Sequence, residues 1–402
     1  MRTRTLAFAL VAAASFTAAC SPEEAAAPEE ETSEAALGSC AAARSGDHYE
    51  FLDDVCHKKV LPTDVDRNWQ CPNVATSATA TPAGGGAAVT YAPASAAVSV
   101  DAAALRGIVP DSLEVTLVLV RRVGGRPHYR YLSNGTHDHV AQPWSATKFM
   151  AVANGARALR EASGGRAGLD ATVQGVPLGD LVTTIHNYDE RRFSSNGLAR
   201  WFHDVGGRSE ANDLVHGWLR RPASETFGGN YGAPAPGLGY TFRAPSGASF
   251  SVDPDGSTGP RNALSTRTMA EFLKRLVMHR EDAETRLPGI QWVDLQHLFY
   301  GAPTSTMFPG KVGGMSADTA IYVQSAVDVA KVQSESRGKF RVFSKLGFGD
   351  GHYVENQYAC FPVLDATGKP VPDAGKEMFL SVRLESGGAS ERERDALLAR
   401  HV

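Results

Sequence analysis

A serine hydroxyl attacks a carbonyl carbon only when a neighbouring group takes its proton, and a lysine can do so once burial or nearby charge lowers its ammonium pKa. Ser145 and Lys148 have the spacing for this pairing. Residues three apart share a helix face, so a serine at a helix start converges with a lysine one turn on, close to the partly positive helix end. A second Ser-x-x-Lys, Ser336 with Lys339, lies in the polar run Ser-Glu-Ser-Arg-Gly-Lys, which offers nothing to bury its lysine. Ser145 instead follows Pro143-Trp144 and opens an apolar helix. The competing reading is a helix-capping serine beside a surface lysine.

Other chemistry-bearing residues fall in place along the chain. Ser194-Ser195-Asn196 is the only Ser-x-Asn, and helical sequence follows it. Phe340 to Gly347 reads as a strand ending in Lys345-Leu346-Gly347, with a rival Lys-x-Gly at Lys311-Val312-Gly313. Between 222 and 262 the candidate bases are Glu225, Asp253 and Asp255. His137-Asp138-His139 has no further histidines at ligand spacing and reads as solvated turn residues, so no metal is expected. Tyr231 and Tyr240 either shape a pocket or anchor their loop, and both readings stay open.

The elements that must position these residues are read from periodicity. Val100 to Gly107 has a helical pattern, and Glu114–Val123 with His128–Leu132 around Gly124-Gly125 reads as a hairpin. From Ser145, Phe149, Met150, Val152 and Ala156 recur at helical spacing as far as Gly164-Gly165. Residues 178–280 are mostly helical, with a Gly/Pro-rich interruption at 222–262 of the kind that often carries function. Strands return at Phe340–Ser344, Tyr353–Val363 and Met378–Leu384, and Ser390–His401 reads as a charged amphipathic helix. Strands at both ends and helices between them predict an α+β fold, one antiparallel sheet shared by the terminal segments against a helical block.

Over roughly residues 99–402 these features resemble the class A β-lactamase and DD-peptidase-like serine hydrolases. Gln142-Pro-Trp-Ser-Ala-Thr-Lys-Phe-Met-Ala-Val is similar to the family's nucleophile segment, and Leu264-Ser-Thr-Arg-Thr-Met-Ala to its Thr-Thr-Pro-x-x-Met-Ala helix. Ser194-Ser195-Asn196 resembles the Ser-Asp-Asn element, and Lys345-Leu346-Gly347 the Lys-Thr-Gly strand. The resemblance implies a β-lactamase/transpeptidase-like fold, a five-stranded antiparallel sheet packed on a helical domain. It implies Ser145 as nucleophile, Lys148 as base, Ser194 as proton relay to the leaving group, and Asn196 as a substrate-contacting carboxamide that orients the lysine. It also implies Lys345 and Gly347 in substrate binding, Lys345 holding an anionic group, and an oxyanion hole from the N–H groups of Ser145 and Phe348. Two further strands and a terminal helix follow Lys345, the family's own ending, which favours it over Lys311. Glu225 is the candidate deacylation base, although Asn230 follows it by five residues, one more than in the family, and Leu346 stands where the family has Thr or Ser. The expected function is an acyl-enzyme hydrolase of β-lactam or peptide-like amides, with small-molecule or peptidoglycan-like substrates and no cofactor. The alternatives are a penicillin-binding or esterase-like relative with slow deacylation, and a non-catalytic binding lipoprotein with a degenerate site.

The remaining segments concern location. Arg2 and Arg4, the apolar run Leu6–Phe16 and Thr17-Ala-Ala-Cys20 have the layout of an export signal, too short to span a membrane. Cys20 after two alanines resembles the bacterial lipobox, so residues 1–20 are expected to be a lipoprotein signal with lipidation at Cys20. The protein would then face the periplasm or the cell exterior. Residues 21–37 read as an acidic tether, 38–74 as a small cysteine-containing segment, 75–98 as a low-complexity linker, and 99–402 as the hydrolase domain. Apart from Cys20 there are four cysteines, Cys40, Cys56, Cys71 and Cys360, an even number that points to disulfides in an exported chain. Their pairing stays open. With Lys and Arg totalling 40 against 44 acidic residues, a formal charge of −4 excludes the broad basic field that nucleic-acid binding uses.

Overall fold

A computed structural model of the chain describes residues 65–81, 86–187, 190, 192–318 and 329–385. Leu113–Val123 (β1) and Arg126–Leu132 (β2), rich in β-branched and aromatic residues, pair antiparallel across Gly124-Gly125. Both glycines have positive φ, 56° and 77°, the left-handed pair that lets a two-residue turn match the twist of its strands. The helices that frame the site are Lys148–Ala162 (α1), Leu178–Asn187 (α2), Ser195–Gly206 (α3), Thr266–Val277 (α4), Trp292–Tyr300 (α5) and the single turn Met315–Asp318 (α6), and two short helices, Arg208–Asp213 and Val329–Ser336, lie outside this set. The chain returns to strands at Arg341–Gly349 (β3), His352–Phe361 (β4) and Lys376–Glu385 (β5).

The five long strands lie in the order β3-β4-β5-β1-β2, every pair antiparallel, with the short Ala92–Pro93 and Val100–Asp101 on the β2 edge. The first and last strands thus share one sheet against the helices, the α+β arrangement expected. The main core lies between sheet and helices and joins Val118, Tyr131, Phe343 and Phe379 of the sheet to Phe149 and Phe272 of the helices. α4 supplies Met269, Phe272, Leu273 and Leu276 at spacings of three and four, which is one helix face laid on the sheet. A smaller cluster of Leu105, Leu113, Val115, Leu346 and Val382 covers the opposite face. α1 runs through the middle of the helical block and is buried nearly all round. Gly155 permits its contact with α3, because a Cβ there would lie 2.8 Å from Phe202 Cδ1.

Two expectations fall differently. Val100–Gly107 is a two-residue strand followed by turns rather than a helix. Leu105 is the only residue of 102–107 in the core, and one anchor gives a helix no face to bury. The amphipathic segment 390–401 lies outside the described residues, as do the segment 1–37, Cys20, Cys40 and Cys56.

Residues 65–81, expected as part of a separate segment and linker, are strapped to the fold. Arg67 donates to the carbonyls of Gln296, Tyr300 and Gly301 at 3.3, 3.2 and 2.8 Å, placing a cation at the partly negative C-terminal end of α5. Trp69 Nε1 donates to the Lys339 carbonyl at 3.1 Å. Cys71 is bonded to Cys360 in β4, with Cα atoms 6.0 Å apart. Replacing both cysteines by serine is expected to lower unfolding free energy by about 2–4 kcal/mol, read from urea titrations in which the midpoint falls and the slope rises as the unbridged chain unfolds to a more expanded state.

Candidate active site

The turn Trp144–Thr147 delivers Ser145 to the start of α1. Trp144 has φ 50°, a left-handed backbone that costs a bulky residue free energy unless its surroundings fix it. They do so from three sides. Asn356 of β4 donates to the Ala146 carbonyl at 2.9 Å, while Thr147 Oγ1 meets Tyr231 OH at 3.1 Å and Asn262 Nδ2 at 3.1 Å. On β3, a Cβ at Gly347 would overlap the Pro143 carbonyl and lie 2.5 Å from Ala146 N. Glycine is what allows the strand to lie directly under the serine turn. Ser145 is half-buried there.

Lys148 opens α1 with its side chain inside the protein, 1% exposed. Its Nζ donates to Ser195 Oγ at 2.6 Å and lies 5.9 Å from the Tyr231 ring centre. Ser194, read as the relay from the Ser-x-Asn spacing, is instead the N-cap of α3, its Oγ accepting from Gly197 N at 3.4 Å. The next residue, Ser195, is the one whose hydroxyl accepts from Lys148 Nζ. Asn196 is half-buried in the first turn of α3. The N–H of Ser195 donates to Glu190 Oε1 at 2.7 Å, which places a buried carboxylate at the helix start beside the Lys148–Ser195 pair.

Lys345 lies on β3, whereas Lys311 is exposed in a loop. The Lys345 side chain is 1% exposed, and its Nζ lies 3.4 Å from Asp318 Oδ2, an oxygen that also accepts from Leu346 N at 3.1 Å. Burial pushes the Lys345 ammonium pKa down, Asp318 pulls it up and Lys148 pushes it down again. The expected role of Lys345 in holding an anionic group thus falls on a lysine already paired with a carboxylate of its own chain. β3 is the sheet's outer strand, and N–H direction repeats every two residues. Since the Leu346 N–H leaves by the outer edge, the Phe348 N–H points the same way. Leu346 itself packs into the apolar cluster on the far face.

Glu225 departs from its expected role as a water-activating base. It is fully buried and accepts from Arg221 Nε at 2.8 Å and Ser265 N at 3.0 Å, with Thr268 Oγ1 also donating to it. Both oxygens staple the loop to the N-terminus of α4, leaving no lone pair for a water. Tyr240 stacks on Trp201 at 6.1 Å and anchors its loop, while Tyr231 borders the site. Asp138 pairs with Arg221 and Arg267 and His139 with Glu114, and no metal-binding cluster occurs among the described residues. Ser336 is buried at a helix end with Lys339 exposed.

Sequence reasoning missed Ser195, Glu190, Asp318, Asn356 and His186. His186 is fully buried, with Nδ1 2.8 Å from the Val182 carbonyl. A carbonyl only accepts, so Nδ1 carries the proton and Nε2 the lone pair. Burial first, then Lys345 and Lys148, push the His186 pKa down from 6.5 to about 3. Burial first, then Arg208, does the same to His203. Both stay neutral in the fold while their unfolded counterparts protonate below 6.5. Between that pH and about 3 the unfolded chain binds more protons, so stability must fall as pH falls. Urea midpoints are expected to drop already in the upper part of this window, before carboxylates titrate. The double variant His186→Gln, His203→Gln should flatten that part of the curve.

No family model matches the chain, and no curated protein matches it. Solved structures similar to it include a variant of the reconstructed last common ancestor of Gram-negative class A β-lactamases, at 15% identity and TM-score 0.40, covering 71% of this chain and 88% of that one. A β-lactamase from Burkholderia vietnamiensis aligns at 12% identity and TM-score 0.39, covering 72% and 87%. One from Sphaerobacter thermophilus aligns at 14% and 0.38, covering 71% and 89%. At these identities and TM-scores no residue role passes from them to this chain.

Proposed function

We propose that the chain is a serine hydrolase that forms an acyl-enzyme at Ser145 with an amide, β-lactam or ester carbonyl. What carries the reading is the buried Lys148 Nζ, one turn from Ser145 and 2.6 Å from Ser195 Oγ. Lys148 takes the Ser145 proton as Oγ bonds to the carbonyl carbon, and the oxyanion forms against the N–H groups of Ser145 and Phe348. On collapse the bond to the leaving group breaks, and the proton travels from Lys148 through Ser195 to that group. Water then cleaves the ester, giving acid and free Ser145.

Release is the slow half in this reading. Glu225 is committed to Arg221, Ser265 and Thr268, so the 222–262 loop supplies no general base from that position. This favours a penicillin-binding or esterase-like protein that acylates faster than it turns over.

We also propose export and lipidation at Cys20, for which the basic start, the apolar run and the small residues before the cysteine speak. The Cys71–Cys360 bridge accords with an oxidising compartment. Export with lipidation predicts membrane-fraction recovery that Cys20→Ser abolishes.

Intact-mass spectrometry after exposure to a fluorophosphonate tests the nucleophile. The expected result is one adduct, absent from Ser145→Ala. An adduct that survives in that variant, or none in the wild type, overturns the reading.

A further inference from the structure

An anion-binding strand edge offers an incoming carboxylate a backbone N–H and a lysine. On β3 both are already taken by one oxygen, Asp318 Oδ2, at 3.1 Å from Leu346 N and 3.4 Å from Lys345 Nζ. Asp318 is fully buried on α6, and Lys345 is equally buried, so the pair is shielded from solvent. We infer that Asp318 is a built-in counter-ion that fills the anion position of this strand, making the site selective for acyl substrates without a carboxylate beside the scissile bond. Neutral esters and amides are that class. The inference rests on the Ser145 hydrolase reading and narrows it.

Three independent features point the same way. Position 346 carries a leucine that packs into the far apolar cluster, so no hydroxyl there helps to hold an anion. Besides Asp318, two further buried carboxylates lie here, Glu190 at the Ser195 N–H and Glu355 within electrostatic reach of Lys345. Arg261, whose guanidinium lies 5.8 Å from the Trp144 ring, is 3.8 Å from Asp350 and so carries its own counter-charge. A carboxylate brought to Lys345 would meet the like charge of Asp318.

The test uses the full chain and the burst of nitrophenolate, which reports acylation even when release is slow. Two esters with the same leaving group are compared, p-nitrophenyl butyrate and mono-p-nitrophenyl glutarate, in the wild type and in Asp318→Asn. The wild type is expected to prefer the butyrate by about tenfold or more, and Asp318→Asn to move that ratio towards the glutarate by a similar factor, the scale of one charge–charge contact. The wild-type comparison stands even if the variant fails to fold. Equal or preferred use of the glutarate overturns the inference, as does an unchanged ratio in a folded variant. Labelling of Ser145 by a fluorophosphonate with no burst from the butyrate overturns the inference alone. No labelling at all removes the hydrolase reading and the inference with it.

Discussion

Alanine at position 148 is expected to slow acylation of Ser145 by about 10²–10⁴-fold, the range that a positioned proton acceptor contributes. Nothing else on the serine turn can take the proton. Thr147 faces Tyr231 and Asn262, and Asn356 is tied to the Ala146 carbonyl. Lys148→Arg should fail as badly, since a guanidinium keeps the charge but cannot act as a base near neutral pH. Burst kinetics with an activated ester read the effect, and a thermal melt checks that the fold survives. Wild-type acylation in Lys148→Ala would show that Ser145 is activated by some other group.

The second large effect separates two neighbouring serines. Ser195→Ala removes the acceptor of Lys148 Nζ and the path from lysine to leaving group, so acylation should fall by about 10²-fold or more. Ser194→Ala removes a helix cap, which costs about 1 kcal/mol of stability and should leave the burst rate close to wild type. The same ester assay with a urea titration on each variant distinguishes them. If Ser194→Ala slows acylation more than Ser195→Ala, the relay is the residue of the Ser-x-Asn spacing after all.

That pair also marks how far the sequence could be read. The Ser145–Lys148 relation is local, fixed by helix pitch, and so are the hairpin at Gly124-Gly125 and the strand bearing Lys345. The choice between Ser194 and Ser195 depends on which residue caps α3, and element ends are set by hydrogen bonds that one-dimensional spacing does not contain. Glu225 shows the same limit at longer range. Its partners Arg221, Ser265 and Thr268 come from either side of a long loop, and only their convergence turns a candidate base into a structural carboxylate. Asp318 was illegible for a related reason, because its meaning comes from β3, some 27 residues away. Val100–Gly107 erred in the other direction, an acceptable local pattern with too little apolar surface to hold it as a helix.

The Cys71–Cys360 bridge has a mechanical meaning as well as a thermodynamic one. Cys360 sits on β4, which is paired on one side with β3 and on the other with β5. A pull on the chain upstream of Cys71 therefore enters the sheet at an interior strand, loading two ladders together. Without the bridge, the same pull would act first on the backbone bond from Ala75 N to the Arg122 carbonyl of β1 and then on the β2 edge, through Ala92–Pro93 and Val100–Asp101, breaking these contacts one after another. The covalent detour spares residues 72–132 from the load and leaves the serine turn, braced by β3 and β4, mechanically quiet as long as the bridge is oxidised.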